Sequence, residues 1–483
     1  MFHGDKIALI EIVSGRRVSY AEFNAQANRV CRYLRERGIK PGDRVAVLLP
    51  NCLELLFILF GTTKLGGIFV PLNHKLAAPE IQAIVADAQP AVAFFYPEFE
   101  HLAQAGWIPI ERAADAWSIM PDADVDASAV DQASPQMLLY TSGTTGTPKG
   151  VIVSHQQVLS NSINTSKRLL LPSDTVLVHT PMFYTGGLNV FTLPALYLGA
   201  TVAIMKTFAA AEVLREVERL KITALFAVPT QLQMMADSPA FQTADLTGLR
   251  YIISGGAPCP VPLIQRWIDR GITLRQGFGL TEVGPNCFAL DARDALRKAG
   301  SIGFPNFSIE PRIVDDTGID VATGEVGELI LRTPAMCSGY WNNPGQTAAA
   351  IRDGWFHTGD LARRDSEGYY YIVDRKKDMF ISGGENVYPA EIENILKTHP
   401  RVAEVAVIGV PHPKWGETGC AVVVLEASEK ITREELLAFC SGKIAKFKIP
   451  QSIVFADELP RTTSGKVRKE DLRRTLENDI GTS

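Results

Sequence analysis

The sequence predicts an α/β protein: a large N-terminal domain of two doubly wound α/β layers plus a small β-barrel unit, followed by a small α+β C-terminal domain joined by a hinge. Three observations lead to this prediction. The length of 483 residues exceeds what one ordinary core holds, so two or more domains are expected. Apolar strands alternate with helical patterns over residues 7–229. Short strands and turn signals then follow at 301–339, which is typical of a small β unit.

The first layer is predicted from residues 7–95. Ser19 is placed to cap a helix from Ala21 to Arg37, whose apolar residues share one face. The stretch from Leu53 to Leu72 is strongly apolar but contains two charged residues and three glycines. We therefore expect a core helix followed by a strand there, and not a membrane span.

A loop rich in hydroxyls and glycines, TSGTTGTPKG at 141–150, lies between two apolar strand segments. Such a loop can surround a polyphosphate with backbone N–H groups, hydroxyls and one cation, Lys149. It departs from the Walker A pattern, because Lys149 follows Pro148 and precedes Gly150. The alternative interpretation is a flexible hairpin without a ligand.

This loop resembles the signature phosphate loop of the adenylate-forming superfamily, which includes acyl-CoA synthetases, aryl-CoA ligases, firefly-type luciferases and peptide-synthetase adenylation domains. The resemblance implies an AMP-forming ligase of the acyl-CoA synthetase and aryl-CoA ligase branch. It also implies that the loop binds ATP, with Thr141 contributing to a Mg²⁺ site. The loop residues assigned to ATP are Thr141, Ser142, Gly143, Thr144, Thr145, Gly146, Thr147 and Lys149.

The second layer is predicted from residues 175–229, with helices at Val190–Leu198 and Ala210–Leu220. In relatives the residue after Pro-x-Phe points into the acid pocket and is His, whereas here it is Tyr184; a core aromatic is the alternative. The predicted pocket contains no carboxylate placed for an α-amino group, so we expect an aromatic or medium-chain aliphatic acid. Its residues are Tyr184, Gly187, Thr230, Met234, Gly256, Gly279, Pro285 and Asn286.

Two glycine-containing segments resemble the superfamily's adenine-binding pair. By that resemblance Gly256-Ala257-Pro258 and Phe278 enclose the base, Thr281 contacts the α-phosphate, and Glu282 holds Mg²⁺, a cation that prefers carboxylate and phosphate oxygens. Glu282 could otherwise be a surface carboxylate after a turn. The other residues assigned to ATP here are Gln276, Gly277 and Gly279.

The segment from Trp355 to Asp378 resembles the end of the superfamily's large domain. The resemblance assigns Asp360 and Ile372 to ATP, Asp360 through the ribose hydroxyls, and gives Arg375 contacts with ribose and phosphate. Without the flanking WFHTGD, Asp360 would be read as a turn aspartate. Lys377 is implied as the hinge, so we place the large domain at 1–376 and the small mobile domain at 377–483.

The last domain carries the remaining predicted site residues. Lys466, in a Thr-Ser-Gly-Lys segment, matches the superfamily's catalytic lysine; Thr281 and Arg375 complete the expected catalytic set. Ser382, Gly383 and Gly384, with Trp415, are the candidate pantetheine contacts, and Lys446 and Lys448 are candidates for the CoA phosphates. The alternative for Trp415 is an aromatic residue at the edge of a domain, and the alternative for the lysines is a solvated helix face.

The predicted reaction is activation of a carboxylic acid by ATP to an acyl-adenylate, with release of pyrophosphate, followed by transfer to CoA with release of AMP. The expected partners and cofactors are ATP, Mg²⁺, CoA and a small-molecule acid. The open alternatives are a stand-alone adenylation enzyme that loads a carrier-protein thiol, a luciferase-like oxygenase, and a non-catalytic nucleotide-binding regulator. The last would predict a damaged phosphate loop, Glu282 or Lys466, and all are intact.

Composition excludes other classes of function. The net charge of -5 gives no basic footprint for nucleic acid. The seven cysteines are scattered singly, without metal-ligand spacing, which favours reduced thiols. With no signal peptide apparent, we expect a cytoplasmic protein without a transmembrane segment. A homodimer is compatible with the sequence, which does not itself indicate an oligomeric state.

Overall fold

The computed structural model describes residues 4–141, 148–382, 385–427, 429–462 and 465–480, without the side chains of 477–480. The chain divides into two compact units. The first comprises Met1–Pro311 and Leu331–Phe356, and the second comprises Arg312–Ile330 and His357–Ser483. The domain boundary between Lys376 and Lys377 stays a prediction.

The strands are named in chain order. They are β1 Ile7–Glu11, β2 Arg17–Ser19, β3 Arg44–Leu48, β4 Ile68–Pro71, β5 Val92–Phe95, β6 Ile108–Pro109, β7 Pro135–Thr141, β8 Lys149–Ser154, β9 Thr175–Val178, β10 Thr201–Ile204, β11 Ala224–Ala227, β12 Tyr251–Ser254, β13 Leu274–Leu280, β14 Gly284–Ala289, β15 Phe304–Pro305, β16 Glu310–Val314, β17 Gly327–Arg332, β18 Ile351–Arg352, β19 Trp355–Arg364, β20 Tyr370–Arg375, β21 Phe380–Ser382, β22 Glu385–Val387, β23 Val402–His412, β24 Gly416–Leu425 and β25 Ser452–Phe455.

The α-helices are named in the same way. They are α1 Tyr20–Glu36, α2 Leu53–Leu65, α3 Ala78–Ala88, α4 Ile110–Ser118, α5 His155–Arg168, α6 Thr185–Asn189, α7 Thr192–Leu198, α8 Ala210–Leu220, α9 Pro229–Asp237, α10 Ala240–Thr243, α11 Val261–Asp269, α12 Pro344–Ala350, α13 Pro389–Leu396, α14 Arg433–Cys440 and α15 Lys469–Ile480. Short 3₁₀ helices lie at Pro97–Leu102, Ala292–Asp294 and Lys446–Lys448.

The first unit contains two large sheets, as the sequence predicts. One has nine strands in the order β15-β14-β13-β12-β11-β9-β10-β1-β2, and the strands from β13 to β1 run parallel. The other has six strands in the order β6-β5-β3-β4-β7-β8, with β8 antiparallel to β7. Because neighbouring parallel strands end at the same edge, the loops after them meet there and can form a site.

Local signals predicted several helix ends well. The Ser19 hydroxyl accepts a hydrogen bond from the backbone N–H of Glu22 at 3.1 Å and caps α1. Helix α2 is buried on nearly all sides, as its uniform apolarity predicts. Within the described ranges, no helix is long and apolar enough to cross a membrane.

The helix predicted from Val190 to Leu198 is different in the structure. Helix α6 stops at Asn189, and α7 begins at Thr192, because Phe191 has non-helical backbone angles. Two side-chain amides from distant parts of the sequence donate hydrogen bonds to backbone carbonyls at this break. Asn161 donates to the Asn189 carbonyl at 2.6 Å, and Asn286 donates to the Val190 carbonyl at 3.0 Å. These long-range hydrogen bonds stabilise the interruption.

The second unit is built on two further sets of strands. In one, β16, β17 and β19 are successive neighbours, and β20 pairs antiparallel with β19. The other has the order β22-β21-β24-β23, with β25 parallel to β24. Helices α13 and α14 pack on the second sheet around a core that includes Phe380, Ile392 and Leu436. This is the small α+β arrangement that the sequence predicts.

All seven cysteines are buried free thiols. Burial raises the pKa of every one of them, to about 11 for Cys259 and to about 12 for Cys287 and Cys337. They therefore pack as small apolar side chains in their thiol form, as the sequence predicts.

Candidate active site

The phosphate-loop segment connects two antiparallel strands. Strands β7 and β8 form a hairpin in which Thr141 pairs with Lys149 and Tyr140 pairs with Gly150. Gly150 has little space for a side chain, since an added Cβ would lie 3.0 Å from the Tyr140 ring. The loop therefore leaves and rejoins one rigid ladder, and Thr141 and Lys149 mark its two ends. Residues 142–147, which include six of the predicted ATP contacts, lie outside the described residues.

A third segment, residues 338–341, pairs with the outer side of this hairpin. Tyr340 lies opposite Val151 in an antiparallel bridge, and the backbone N–H of Trp341 donates to the Gly150 carbonyl at 2.7 Å. The Nζ atom of Lys149 lies 5.6 Å from the centre of the Tyr340 ring. This segment places Tyr340 next to Lys149, at one end of the predicted phosphate loop. The sequence analysis did not identify this segment.

Glu282 follows β13 and lies near the same hairpin. The Tyr340 hydroxyl donates a hydrogen bond to Glu282 Oε1 at 3.0 Å. The backbone around Glu282 is fixed on both sides: the N–H of Cys337 donates to the Glu282 carbonyl at 2.6 Å, and the side chain of Gln157 donates to the Thr281 carbonyl at 2.8 Å. Hydrogen bonds to neighbouring segments of the first unit therefore hold the backbone of Thr281, the predicted α-phosphate contact, and of Glu282, the predicted Mg²⁺ ligand.

The two segments predicted to enclose adenine lie side by side. Strands β12 and β13 run parallel, with Ser254 opposite Gln276, so both loops leave from the same edge. Gln276 is buried, and its Oε1 accepts from the Cys259 N–H at 3.2 Å, which ties β13 to the turn at 256–258. That turn is exposed, and Gly256 has a φ of 82°, which favours glycine.

Phe278 extends the same surface along β13. It is half-buried and makes an edge contact with Phe288, with ring centres 6.0 Å apart. Its neighbour Gly277 is also half-buried, and an added Cβ there would lie 3.2 Å from Ile253. A partly exposed aromatic ring beside an exposed glycine turn is a surface on which a flat base can stack.

Tyr184, the residue that departs from the superfamily's His, is held by the other sheet's loops. Asn73, which follows β4, donates from its side-chain amide to the Tyr184 hydroxyl at 3.0 Å. The Tyr184 ring meets Phe183 edge-on at 4.7 Å, and Phe183 in turn meets His74 at 5.2 Å. Burial lowers the pKa of His74 to about 4, so at neutral pH this cluster is uncharged at His74.

Phe226 on β11 is half-buried beside two loop glycines, and the sequence analysis did not identify it. Its neighbours Leu225 and Ala227 are buried in the core on the opposite face of the sheet. Glycines flank two edges of its ring: an added Cβ on Gly186 or Gly255 would lie 3.2 or 3.3 Å from it. Strand alternation was the signal that could have identified it.

The remaining predicted pocket residues differ in their surroundings. Met234 is 55% exposed on α9, and Thr230 is exposed in the first turn of that helix. Gly187 and Gly279 lie where backbones meet, since an added Cβ would approach the Pro181 and Pro285 carbonyl oxygens to 2.2 and 2.3 Å. Pro285 is half-buried beside Gly279.

Asn286 makes hydrogen bonds that connect secondary-structure elements. It is buried, and its side-chain amide donates to Thr165 Oγ1 at 2.7 Å in addition to the Val190 carbonyl. These contacts join β14 to α5 and to the break between α6 and α7. Its predicted contact with substrate stays a prediction.

In the second unit, Asp360 and Arg375 form an ion pair. They are directly opposite each other on β19 and β20, and Arg375 Nε lies 2.6 Å from Asp360 Oδ1. The Asp360 side chain is 3% exposed, and its backbone N–H donates to Thr358 Oγ1 at 3.0 Å. Ile372 pairs with Ala362 on the same two strands. The three predicted nucleotide contacts of this segment therefore share one ladder.

The turn after β20 contains the predicted hinge. Lys377 is exposed there, and the N–H of Asp378 donates to the Arg375 carbonyl at 3.0 Å. The structure gives no second arrangement of the chain, so the hinge stays a prediction.

The candidate CoA residues lie around β21 and β24. Ser382 is buried and pairs with Gly416, next to Trp415, which is 39% exposed. Lys446 is exposed, whereas Lys448 forms an ion pair with Glu391 at 2.7 Å. Of these two lysines, Lys446 is therefore more available to a phosphate than Lys448. Gly383 and Gly384 lie outside the described residues.

Lys466 lies in a short antiparallel segment of the second unit. Arg461 and Val467 form its antiparallel bridge, and the N–H of Thr462 donates to the Lys466 carbonyl at 2.7 Å. Lys466 is exposed. Its backbone is therefore held by local hydrogen bonds in a part of the second unit that is accessible to solvent.

Comparison with known proteins identifies the family. The family profile described as AMP-binding enzyme matches residues 2–341, and the profile described as AMP-binding enzyme C-terminal domain matches residues 391–466. The chain belongs to the AMP-binding enzyme family. It is an AMP-forming acid–thiol ligase of the acyl-CoA synthetase branch, as the sequence motifs predict.

Relatives of this AMP-binding enzyme align over almost its whole length. A feruloyl-CoA synthase from Amycolatopsis sp is 41% identical over 470 residues, covering 95% of this chain and 94% of that one. The long-chain-fatty-acid–CoA ligase FadD13 from Mycobacterium tuberculosis is 38% identical, covering 96% and 94%. The ATP-bound structure of MatB from Rhodopseudomonas palustris has a TM-score of 0.90 at 32% identity, covering 97% and 95%. The predicted fold class is confirmed.

Proposed function

We propose that this ligase activates an aromatic carboxylic acid and transfers it to CoA. The observation that carries the proposal is the Phe226 ring between Gly186 and Gly255, in the loop cluster where Tyr184 is held by Asn73. Glycines at these two positions leave no side chains at the ring edges, and aromatic rings favour stacked or edge-on aromatic neighbours. The 41% identity to a feruloyl-CoA synthase supports the same substrate class.

The first half-reaction joins the acid to AMP. A carboxylate oxygen attacks the α-phosphorus of ATP, a P–O bond forms, and the bond to the β-phosphate breaks, so that pyrophosphate leaves with the electron pair. Lys149 and Lys466 supply the positive charge that stabilises the transition state, and Thr281 contacts the α-phosphate. Asp360 and Arg375 bind the ribose side of the nucleotide.

The second half-reaction releases AMP. The CoA thiol gives its proton to solvent, its sulfur bonds to the acyl carbon, and the bond from that carbon to the phosphate oxygen breaks, so that AMP leaves with the electron pair. Trp415, Ser382 and Lys446 form the face that binds CoA in this proposal. Lys448 contributes less, because Glu391 already pairs with its charge.

The donor chemistry fits Mg²⁺ at Glu282 and Thr141. Mg²⁺ takes oxygen ligands, keeps several waters, and is usually bound by one or two carboxylates plus substrate phosphates. One carboxylate and one hydroxyl beside a phosphate loop match that pattern. In the described part of the chain, no group of three or more His, Cys, Asp or Glu side chains could hold a metal by itself. When bound, Mg²⁺ neutralises phosphate charge in the transition state.

Pyrophosphate release across a panel of acids tests this proposal. The panel contains hydroxycinnamic and arylacetic acids, medium- and long-chain fatty acids, dicarboxylates and amino acids, each with and without CoA. We expect the highest kcat/KM for an aromatic acid, turnover that requires CoA, and an aryl-CoA product identified by mass spectrometry. A preference for fatty acids would favour the alternative suggested by FadD13. Release of a single equivalent that is unaffected by CoA would favour a carrier-protein loader.

Two variants connect the panel to the pocket. Phe226→Leu keeps an apolar side chain and removes the ring, so we expect kcat/KM to fall for aromatic acids and to change little for fatty acids. Phe241→Leu, which removes a ring that packs on Trp267 in the core, is the matched control for general destabilisation. Equal losses for both acid classes in Phe226→Leu would contradict an aromatic pocket at this residue.

We also propose a cytoplasmic location and a homodimer. Seven buried, protonated thiols fit a reducing compartment, which supports the first. Cell fractionation and light scattering of the purified protein test the two proposals.

A further inference from the structure

Tyr340 joins two parts of the candidate site that are far apart in sequence. Its hydroxyl donates to Glu282 Oε1 at 3.0 Å, and the face of its ring lies 5.6 Å from Lys149 Nζ. One residue thus contacts the proposed metal carboxylate and the lysine of the phosphate loop. A lysine at this distance is attracted to an aromatic ring.

The position of Tyr340 is set by rigid neighbours. Besides its bridge to Val151, its backbone N–H donates to Thr347 Oγ1 at 2.9 Å, and Thr347 belongs to α12. Asn343 caps that helix by accepting from the Gln346 N–H at 3.1 Å. The Tyr340 side chain therefore leaves a backbone that is held by both a strand and a helix.

The hydrogen bond from the Tyr340 hydroxyl holds Oε1 of Glu282, so the other carboxylate oxygen, Oε2, points in a defined direction. The Glu282 backbone is already fixed by Cys337, so the remaining freedom of this residue is in its side chain. A hydroxyl that holds Oε1 also orients Oε2, and such outer contacts keep metal ligands in place. A phenol is protonated at neutral pH, so the hydroxyl has a proton to donate.

We infer that Tyr340 is a positioning residue for Mg²⁺ binding: its hydroxyl orients the Glu282 carboxylate toward the cation that accompanies ATP. This inference rests on the proposed metal site at Glu282. It deepens that proposal by naming a residue that acts on the metal through another side chain.

The test compares Tyr340→Phe with the wild type in two Mg²⁺ titrations. The first follows pyrophosphate release at saturating ATP and acid. The second measures ATP binding by calorimetry with and without Mg²⁺, which reports on the metal without turnover. Tyr20→Phe is the matched control, because it removes a hydroxyl that donates to the Ala200 carbonyl at 2.6 Å on another part of the first unit.

We expect Tyr340→Phe to raise the Mg²⁺ concentration for half-maximal activity about tenfold, as outer-contact losses at metal sites do. Affinity for ATP without Mg²⁺ should match the wild type, and the gain on adding Mg²⁺ should shrink. Mg²⁺ titrations that superimpose on those of the wild type would overturn the role of Tyr340 and leave the metal site standing. A wild-type enzyme that needs no divalent cation would overturn both.

Discussion

The side-chain amide of Asn73 donates a hydrogen bond to the hydroxyl of Tyr184 at 3.0 Å, so a loop of the six-stranded sheet holds the first residue of the predicted acid pocket. Asn73 Oδ1 accepts from the Lys75 N–H at 2.9 Å, which fixes the amide in turn. The orientation of Tyr184 is therefore set before an acid enters.

Replacing Asn73 should affect the acid and spare the nucleotide. Asn73→Ala removes the amide that donates to the Tyr184 hydroxyl, together with the acceptor for the Lys75 N–H. Because one hydrogen bond contributes about 1 kcal/mol, we expect KM for the acid to rise about fivefold while KM for ATP is unchanged. Steady-state kinetics in both substrates check this. If the effect acts through Tyr184, Asn73→Ala adds nothing in a Tyr184→Phe background; additive losses would contradict it.

The exposed lysine at 466 should serve only the first half-reaction. Lys466→Ala removes a cation that stabilises the adenylation transition state, so we expect pyrophosphate release to fall by about a hundredfold or more. Thioester formation from a supplied acyl-adenylate should be retained. Lys397→Ala, at another exposed lysine of the second unit, is the control and should behave as wild type. Equal loss of both steps would indicate misfolding or a different role for Lys466.

Trp415 should contribute to CoA binding. Its ring is 39% exposed beside the strand pair of Ser382 and Gly416. We expect Trp415→Ala to raise KM for CoA several-fold, about 1 kcal/mol for one lost aromatic contact, without changing acid-dependent ATP–pyrophosphate exchange. Phe455→Ala, at an aromatic of similar exposure on β25, is the matched control. A change in exchange and none in KM for CoA would refute this assignment.

His179 should make the protein sensitive to acid. It is fully buried, neither ring nitrogen has a hydrogen-bond partner among the described residues, and burial lowers its pKa to about 4. Between pH 6.5 and 4 the unfolded chain binds a proton that the folded chain excludes. Stability is therefore complete above pH 6.5 and falls toward pH 4, by roughly 3 kcal/mol for this shift.

His179→Phe should remove that loss, since Phe fits beside Phe208, whose ring lies 5.1 Å from His179. Urea unfolding of both proteins at pH 7 and pH 5 measures the difference. We expect the wild type to lose more stability than the variant over this interval. The same pH dependence in both would show that other groups dominate acid unfolding.

The sequence predicted what depends on local pattern. The two strands that flank residues 142–148 and the Ser19 cap follow from residue types at short spacing. The contact between Tyr340 and Glu282 joins residues 58 positions apart, and it depends on the register that places Tyr340 opposite Val151. No local pattern contains that register.

Other features that the sequence did not predict also depend on contacts between residues that are far apart in the chain. The break between α6 and α7 depends on amides donated from Asn161 and Asn286, which lie on α5 and β14. The ion pair between Lys448 and Glu391 likewise forms between segments that the sequence separates. An apolar helical pattern or a lysine-rich segment gives no sign of such partners.

The burial of all seven thiols has a chemical consequence for an enzyme that makes acyl-adenylates. An acyl-adenylate is an electrophile, and thiolates are the nucleophiles to which such carbonyls are most vulnerable. Here each cysteine is covered and its pKa is raised. The activated acyl group therefore meets no competing thiolate on the described surface of the protein, and loss of product to cysteine acylation is avoided.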